Sequence, residues 1–245
     1  TPGEAAVLAI QAGVDLIAYG PNMGEGTQIQ AMQAVADAVR TGLIDENRLD
    51  ESVRRLLRTK QSMGLFDWHP LEPESASQRI DLDGHQQLVM ELFRAGVTIA
   101  HDDAGLLPLA APRVLIIHPA NRMDIYRECS PYRDDIRWLA VSDRPALGEV
   151  DLARSIASQV DVVVVFTRDA YHEAAQQALV TALPLEKTVV VALISPYDYL
   201  RFPQVAGYVV TYSPLPASAP VACAVLFGEQ PATGVLAVDL SAVRP

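Results

Sequence analysis

The second part of the chain is predicted to be an α/β domain with a mostly parallel sheet sandwiched by helices. Three observations predict it: several short runs rich in Val and Ile, apolar residues throughout each run, and helical stretches between the runs. The clearest strand candidates are residues 114–117, 161–166, 189–194 and 207–212. Strands that alternate with helices indicate right-handed crossovers in a parallel sheet.

The remaining elements of this domain follow from local composition and breakers. The apolar spacing after Gly84 predicts a helix that stops at Gly96, and later helices are predicted at 148–158, 171–183 and 217–227. Residues 97–100 and 136–141 have strand composition, and 235–238 is a last extended segment. We therefore predict that residues 86–245 form a complete domain, preceded by a linker over 66–85 that contains Pro70 and Pro73.

The first 65 residues are expected to belong to a different structure. Helices are predicted over residues 4–12 and 25–41, and a third from Asp50 as its N-cap to Gly64 at its C-terminal end. Between the first two helices, residues 14–19 form a short apolar run that predicts one buried strand. A single strand leaves its backbone groups unpaired, so we expect its partners to lie outside this chain.

Composition excludes several classes of protein. Half of the 245 residues are hydrophobic and a fifth are charged, as in ordinary globular proteins. The formal net charge of −11 opposes binding to nucleic acid, and the apolar runs are too short to cross a membrane. Cys129 and Cys223 are far apart and form no CxxC pair, so we expect buried, reduced thiols.

Several segments together resemble glycoside hydrolase family 3. The stretch from Ala5-Ala6-Val7 through Ala12-Gly13-Val14-Asp15-Leu16-Ile17 is similar to the last helix and strand of that family's barrel. Arg48-Leu49-Asp50-Glu51-Ser52-Val53-Arg54-Arg55 is similar to its closing segment. Gly105-Leu106-Leu107-Pro108 resembles the entry to the second domain, and Ser195-Pro196-Tyr197-Asp198 its later part. The resemblance points in particular to the two-domain β-N-acetylhexosaminidases, with β-glucosidases as the alternative.

The resemblance implies both a fold and an activity. Residues 1–65 would be the terminal strand and helices of a truncated (β/α)8 barrel, and residues 86–245 the family's C-terminal domain. The whole protein would be a retaining hydrolase of β-linked N-acetylhexosamine in carbohydrate metabolism, such as cell-wall recycling. The resemblance also implies an aspartate nucleophile, and a histidine–aspartate pair as acid/base, on barrel strands that precede Thr1. No stretch matches either motif, so we assign no catalytic residue and expect this chain alone to be inactive.

Two groups of residues are candidates for contact with the carbohydrate substrate. Tyr19 and Asn22 follow the predicted barrel strand at the end that faces the active site of such barrels. Arg168, Asp169 and His172 follow a predicted sheet strand, at the edge where open α/β sheets bind ligands. The alternatives are an ordinary loop for the first group and, for the second, a helix start with Asp169 as its cap and Arg168 exposed.

Neither a metal nor a cofactor is expected. The five histidines lack metal-ligand spacing, and no glycine-rich loop has the pattern that holds phosphate. The expected partners are carbohydrate, through the barrel, and a second copy of the chain, through the exposed barrel strand, but neither nucleic acid nor a membrane. One alternative is a non-catalytic module that binds carbohydrate or protein. Another is a free-standing flavodoxin-like or receiver-like domain, but the single barrel strand predicted over residues 14–19 argues against it.

Overall fold

The computed structural model describes residues 1–20, 22–70 and 72–240, which divide into two compact units between Arg79 and Ile80. The first unit is helical. Its helices are α1 (Pro2–Gln11), α2 (Glu25–Arg40), α3 (Glu46–Ser62) and the short α4 (Ala76–Arg79), with 3-10 turns at Leu65–Asp67 and Pro73–Ser75. A small apolar cluster around Ile10, Ala38 and Ile44 holds this unit together.

Caps explain where the helices of the first unit begin. Thr1 Oγ1 accepts a hydrogen bond from the backbone N–H of Glu4, and the Glu4 carboxylate accepts one from the backbone nitrogen of Thr1, which completes a capping box. The predicted start of α3 at Asp50 is wrong. Asp45 caps this helix instead by accepting from the backbone N–H of Asn47, so that Asp50 lies inside it.

The expected strand at residues 14–19 is not formed. Within the described ranges this segment has no partner strand, and the side chain of Leu16 is 70% exposed. Asp15 is nevertheless fixed in place, because its Oδ1 accepts from Ser52 Oγ at 2.7 Å and from Arg55 Nη1 at 2.6 Å. The segment is therefore anchored to α3 through Asp15 and through the Val14 carbonyl, which accepts from Arg48 Nη2 at 3.3 Å, while its backbone joins no strand ladder.

The second unit confirms the predicted α/β fold with a mostly parallel sheet. Its sheet has the strand order β1-β6-β5-β4-β2-β3, in which only the β1–β6 pair is antiparallel. The strands are β1 (Thr98–Asp102), β2 (Val114–Pro119), β3 (Arg137–Val141), β4 (Val162–Thr167), β5 (Thr188–Ala192) and β6 (Gly207–Val210). The helices are α5 (Leu82–Gly96), α6 (Met123–Cys129), α7 (Leu147–Ala157), α8 (Ala174–Thr181) and α9 (Ser218–Leu226).

Alternate residues of the central strands enter two separate apolar cores. Leu115 and Ile117 pack in one core with α7 and α8, whereas Val114 and Ile116 pack in the other with α6 and α9. Both faces of the central strands are therefore covered by helices. Because every side chain of these strands is buried on one face or the other, their sequences are continuous apolar runs. Residues 235–238 form no strand, although Leu236 and Val238 pack against the first core.

The expectation of reduced cysteines is wrong. Cys129 at the end of α6 and Cys223 in α9 form a disulfide, with their Cα atoms 5.1 Å apart, and both residues are fully buried. The two helices pack on the same face of the sheet, which brings together cysteines 94 residues apart in sequence. Sequence spacing carried no sign of this pairing, because it depends on which face each helix covers.

Gly234 is required by a close approach of two backbone segments. Its N–H donates to the carbonyl of Val97 at 3.0 Å, and a Cβ at this position would collide with Gly96 O and Thr98 Oγ1. We expect Gly234→Ala to lower the free energy of unfolding by about 2 kcal/mol, since the segment would have to move away from β1.

The matched control for this substitution is Gly148→Ala in α7, where an added Cβ meets nothing within 4 Å. That change should be neutral or stabilising by about 0.5–1 kcal/mol, because alanine is the better helix former. Urea unfolding measures both variants, and equal effects at the two positions would contradict the packing argument.

Candidate functional site

The topology of the sheet identifies one edge as the place for a ligand. From β2 the chain moves outward to β3 and then returns to β4 on the other side of β2. The direction of winding therefore switches between β2 and β4, and their carboxyl ends diverge into separate loops. Open α/β sheets bind ligands in the crevice at such a switch point.

A polar crevice of about 430 Å³ lies at this edge. Its lining comes from the loop after β3, the segment after β4 with the start of α8, and Ile194 in the segment after β5. The lining residues are Asp143, Arg144, Arg168, Asp169, Glu173, Gln176 and Ile194. We call this the switch-point crevice.

Hydrogen bonds between loops hold the crevice in shape. Asp143 Oδ2 accepts from Asn121 Nδ2 at 2.8 Å and from Arg168 Nη1 at 3.1 Å, so it joins the loops after β2, β3 and β4. The side chain of Gln176 accepts from the backbone N–H of Arg168 at 3.0 Å and donates to the carbonyl of Asp143 at 3.1 Å. Arg144 closes one side through a bidentate pair with Glu173.

The structure brings together the three site residues that the sequence predicts after β4. Arg168 and Asp169 line the crevice, and His172 Nδ1 lies 2.9 Å from Asp169 Oδ1, with the His172 side chain 70% exposed. Helix α8 begins at Ala174, and no side chain caps it at Glu173. The carbonyl oxygen of Asp169, rather than its carboxylate, receives the N–H groups of His172 and Glu173.

Asp198 supports the loop that carries these residues. The turn that follows β5 is capped by Ser195, whose Oγ accepts from the N–H of Tyr197. Asp198 is fully buried, where it accepts from Thr167 Oγ1 at 2.7 Å and from the backbone N–H of Tyr171 at 2.9 Å. Burial raises the pKa of Asp198, and these hydrogen bonds oppose that rise. Sequence reasoning missed this role because nothing in the local pattern shows that the side chain turns inward.

Tyr19 and Asn22 lie in the first unit. Tyr19 lines an apolar groove of about 630 Å³ together with Ile10, Leu16 and Met32, among others, and Asn22 is exposed in a turn. The described part of the chain contains no cluster of side chains that could hold a metal ion. None of the described helices has the length and apolar character needed to span a bilayer.

We expect His118, the penultimate residue of β2, to make the second unit less stable in acid. It is 2% exposed, and burial lowers its pKa below the ordinary 6.5, although the Pro119 carbonyl 2.9 Å from Nδ1 and the Asp124 charge both raise it. Below pH 6.5 the unfolded chain binds a proton that the folded chain does not, so stability falls as pH decreases. We expect His118→Gln to weaken this loss.

The measurement is the free energy of unfolding of both proteins at about pH 8 and about pH 5, which bracket the histidine titration. The difference between the two proteins should change with pH. A constant difference would contradict the assignment to His118.

The comparisons with known proteins fit this architecture. A glycoside hydrolase family 3 β-N-acetylglucosaminidase from Paenibacillus is 26% identical, with a TM-score of 0.74 over 98% of this chain and 48% of its own. A β-N-acetylglucosaminidase/β-glucosidase from Cellulomonas fimi is 30% identical over 116 residues, which are 46% of this chain and 20% of that protein. The chain is related to glycoside hydrolase family 3, with its second unit matching the C-terminal α/β domain of that family.

The relationship to family 3 covers only part of each relative. A probable β-glucosidase C from Aspergillus flavus is 36% identical over 77 residues, 31% of this chain and 12% of that protein. The chain spans about half the length of the Paenibacillus structure and a fifth or less of these two relatives. No protein-family model matches the chain.

Proposed function

We propose that this chain is the C-terminal part of a retaining glycosidase that acts on β-linked N-acetylhexosamine. The observation that carries the proposal is the match of 98% of the chain to a β-N-acetylglucosaminidase, at 26% identity. Because the match covers 98% of the chain, it includes residues of both units. Curated relatives named as glycosidases, over parts of the chain, support the same class of activity.

In this proposal the chain supplies supporting structure and substrate contacts, and the reacting groups come from elsewhere in the protein. A retaining glycosidase needs a nucleophile and an acid/base on opposite sides of the scissile bond. No described pair of residues matches the motifs that the family resemblance implies for those groups. Arg168, Asp169 and His172 are the substrate contacts that we assign to the second unit, and Tyr19 and Asn22 those that we assign to the first.

The test compares the 245-residue chain with the full-length product of its gene on aryl glycosides. We expect the full-length product to hydrolyse an aryl N-acetyl-β-glucosaminide with retention of configuration, and the chain alone to show no turnover. Turnover by the chain alone would overturn our assignment of the catalytic groups.

The same assay decides between substrates. Faster hydrolysis of an aryl β-glucoside would favour a β-glucosidase, which the Aspergillus relative's name also suggests for that protein. Absence of all turnover by the full-length product, together with carbohydrate binding by the chain, would favour a non-catalytic module.

The apolar groove of the first unit is proposed to be the face that the barrel covers in the whole protein. In this chain the groove and the unpaired segment 14–19 are accessible, with Leu16 and Met32 both about 70% exposed. Accessible apolar surface next to unpaired backbone favours association with another copy.

We therefore expect the average molar mass of the chain, measured by light scattering, to rise with concentration. Leu16→Lys should reduce this rise, because a charge in the groove opposes burial. Leu147→Lys, at an exposed leucine in α7, is the matched control and should leave the rise unchanged. A constant monomer mass for the unsubstituted chain would contradict the prediction.

A further inference from the structure

We propose that the switch-point crevice of the second unit binds a neutral sugar ring, with Asp143 and Arg168 as the principal polar contacts. The location rests on the geometry of the sheet and its loops. The choice of a sugar as the ligand rests on the proposed glycosidase function.

The crevice is formed before any ligand binds. The segments after β3, β4 and β5 contribute its walls. Hydrogen bonds of 2.8–3.1 Å among Asn121, Asp143, Arg168 and Gln176 connect the loops after β2, β3 and β4. The buried carboxylate of Asp198 fixes the segment after β4 by accepting hydrogen bonds from Thr167 and Tyr171. A preformed site loses less conformational entropy on binding, which favours affinity for a small ligand.

The polar groups in the crevice suit hydroxyl groups, which both donate and accept hydrogen bonds. The Asp143 side chain is 42% exposed, so a hydroxyl can approach its carboxylate from the crevice, although Oδ1 itself is inaccessible to solvent. The carboxylates of Asp169 and Glu173 add acceptors, and the guanidinium groups of Arg144 and Arg168 add donors. Ile194 supplies an apolar wall on which the C–H face of a ring can pack.

The charges of the lining argue against an anionic ligand. Three carboxylates and two guanidinium groups line the crevice, so acid exceeds base by one charge. Each guanidinium is already paired, Arg144 with Glu173 and Arg168 with Asp143. A phosphate group would therefore meet uncompensated negative charge, whereas a neutral sugar would not.

The test is an NMR titration of the intact 245-residue chain with N-acetylglucosamine, with glucose and with inorganic phosphate as separate probes. We expect saturable shifts of the backbone amides of Asp143, Arg168 and Asp169 with at least one of the sugars, and none with phosphate. Saturation by phosphate alone, or shifts confined to residues outside the crevice, would overturn the proposal.

Variants connect the binding to the named side chains. Asp143→Asn removes a charged acceptor at nearly constant volume and should weaken sugar binding about tenfold, the loss expected for a hydrogen bond to a charged group. Asp151→Asn changes an exposed carboxylate of α7 outside the crevice and should leave the affinity unchanged.

Arg144→Gln is a second crevice variant that keeps the proposal testable if Asp143→Asn does not fold. The Arg144 side chain is largely exposed, so its loss should not prevent folding, and we expect weaker sugar binding. Equal affinity in Arg144→Gln and Asp151→Asn would overturn the assignment of the site.

Failure of the crevice proposal can be distinguished from failure of the proposed function. If the full-length product hydrolyses N-acetyl-β-glucosaminides and the crevice binds no sugar, only the crevice proposal fails. If the crevice binds sugar and the full-length product hydrolyses nothing, only the catalytic part of the proposed function fails.

Discussion

Removal of the disulfide between Cys129 and Cys223 is expected to lower the free energy of unfolding of the second unit by about 4 kcal/mol. The bond joins residues 94 positions apart, so it closes a long loop in the unfolded chain and reduces its conformational entropy. Both cysteines are buried between α6 and α9. Within the described residues, this disulfide is the single covalent cross-link between the two helices.

The measurement is urea unfolding of the Cys129→Ala/Cys223→Ala variant and of the unsubstituted chain, with and without reductant. Trp138 reports on the second unit when Trp68, the other tryptophan, is replaced by phenylalanine in every protein compared. Reductant should destabilise the unsubstituted chain and leave the double variant unaffected. Detection of two free thiols in the chain unfolded without reductant would contradict the prediction.

Asp198→Ala is expected to lower the free energy of unfolding by about 3 kcal/mol, because it leaves buried donors without an acceptor. The Thr167 hydroxyl and the Tyr171 N–H both donate to this carboxylate, which is fully buried. The loss should be concentrated in the segment between Thr167 and His172, since that segment is what the carboxylate holds.

Hydrogen exchange of the Tyr171 amide measures this local effect, next to the global stability from urea unfolding. Asp198→Asn is the matched control, because its amide oxygen still accepts one of the two hydrogen bonds at the same volume. We expect Tyr171 to exchange faster in the alanine variant than in the asparagine variant. Equal exchange in both variants and in the unsubstituted chain would show that Asp198 does not hold the loop.

Sequence periodicity was sufficient to predict the centre of the second unit. Residues 114–117 and 161–166 read as strands because both faces of β2 and β4 are covered, which removes the usual alternation. Helix α6 was not predicted, since its seven residues are too few to establish a period against Asp124 and Arg127. The antiparallel direction of β1 depends on contacts with β6 and had no local signal.

The candidate site was predictable only in part, for a similar physical reason. Arg168 and Asp169 follow a strand directly, so the rule for strand ends was enough to select them. Asp143 and Gln176 enter the crevice because β3 and β4 flank β2, and this order of strands is a property of the whole sheet. Asp198 acts through residues that are distant in sequence, so no local sequence pattern predicts its role.

The pairing of β1 with β6 sets the order in which the second unit becomes complete during synthesis. Thr98 pairs with Val210, so the first strand of the sheet has no partner until more than a hundred later residues have been made. At ordinary elongation rates this delay is on the order of 5–20 s, long compared with the formation of a helix or hairpin. During that interval the nascent chain carries an open strand edge, and we expect it to bind chaperones until Val210 has left the ribosome.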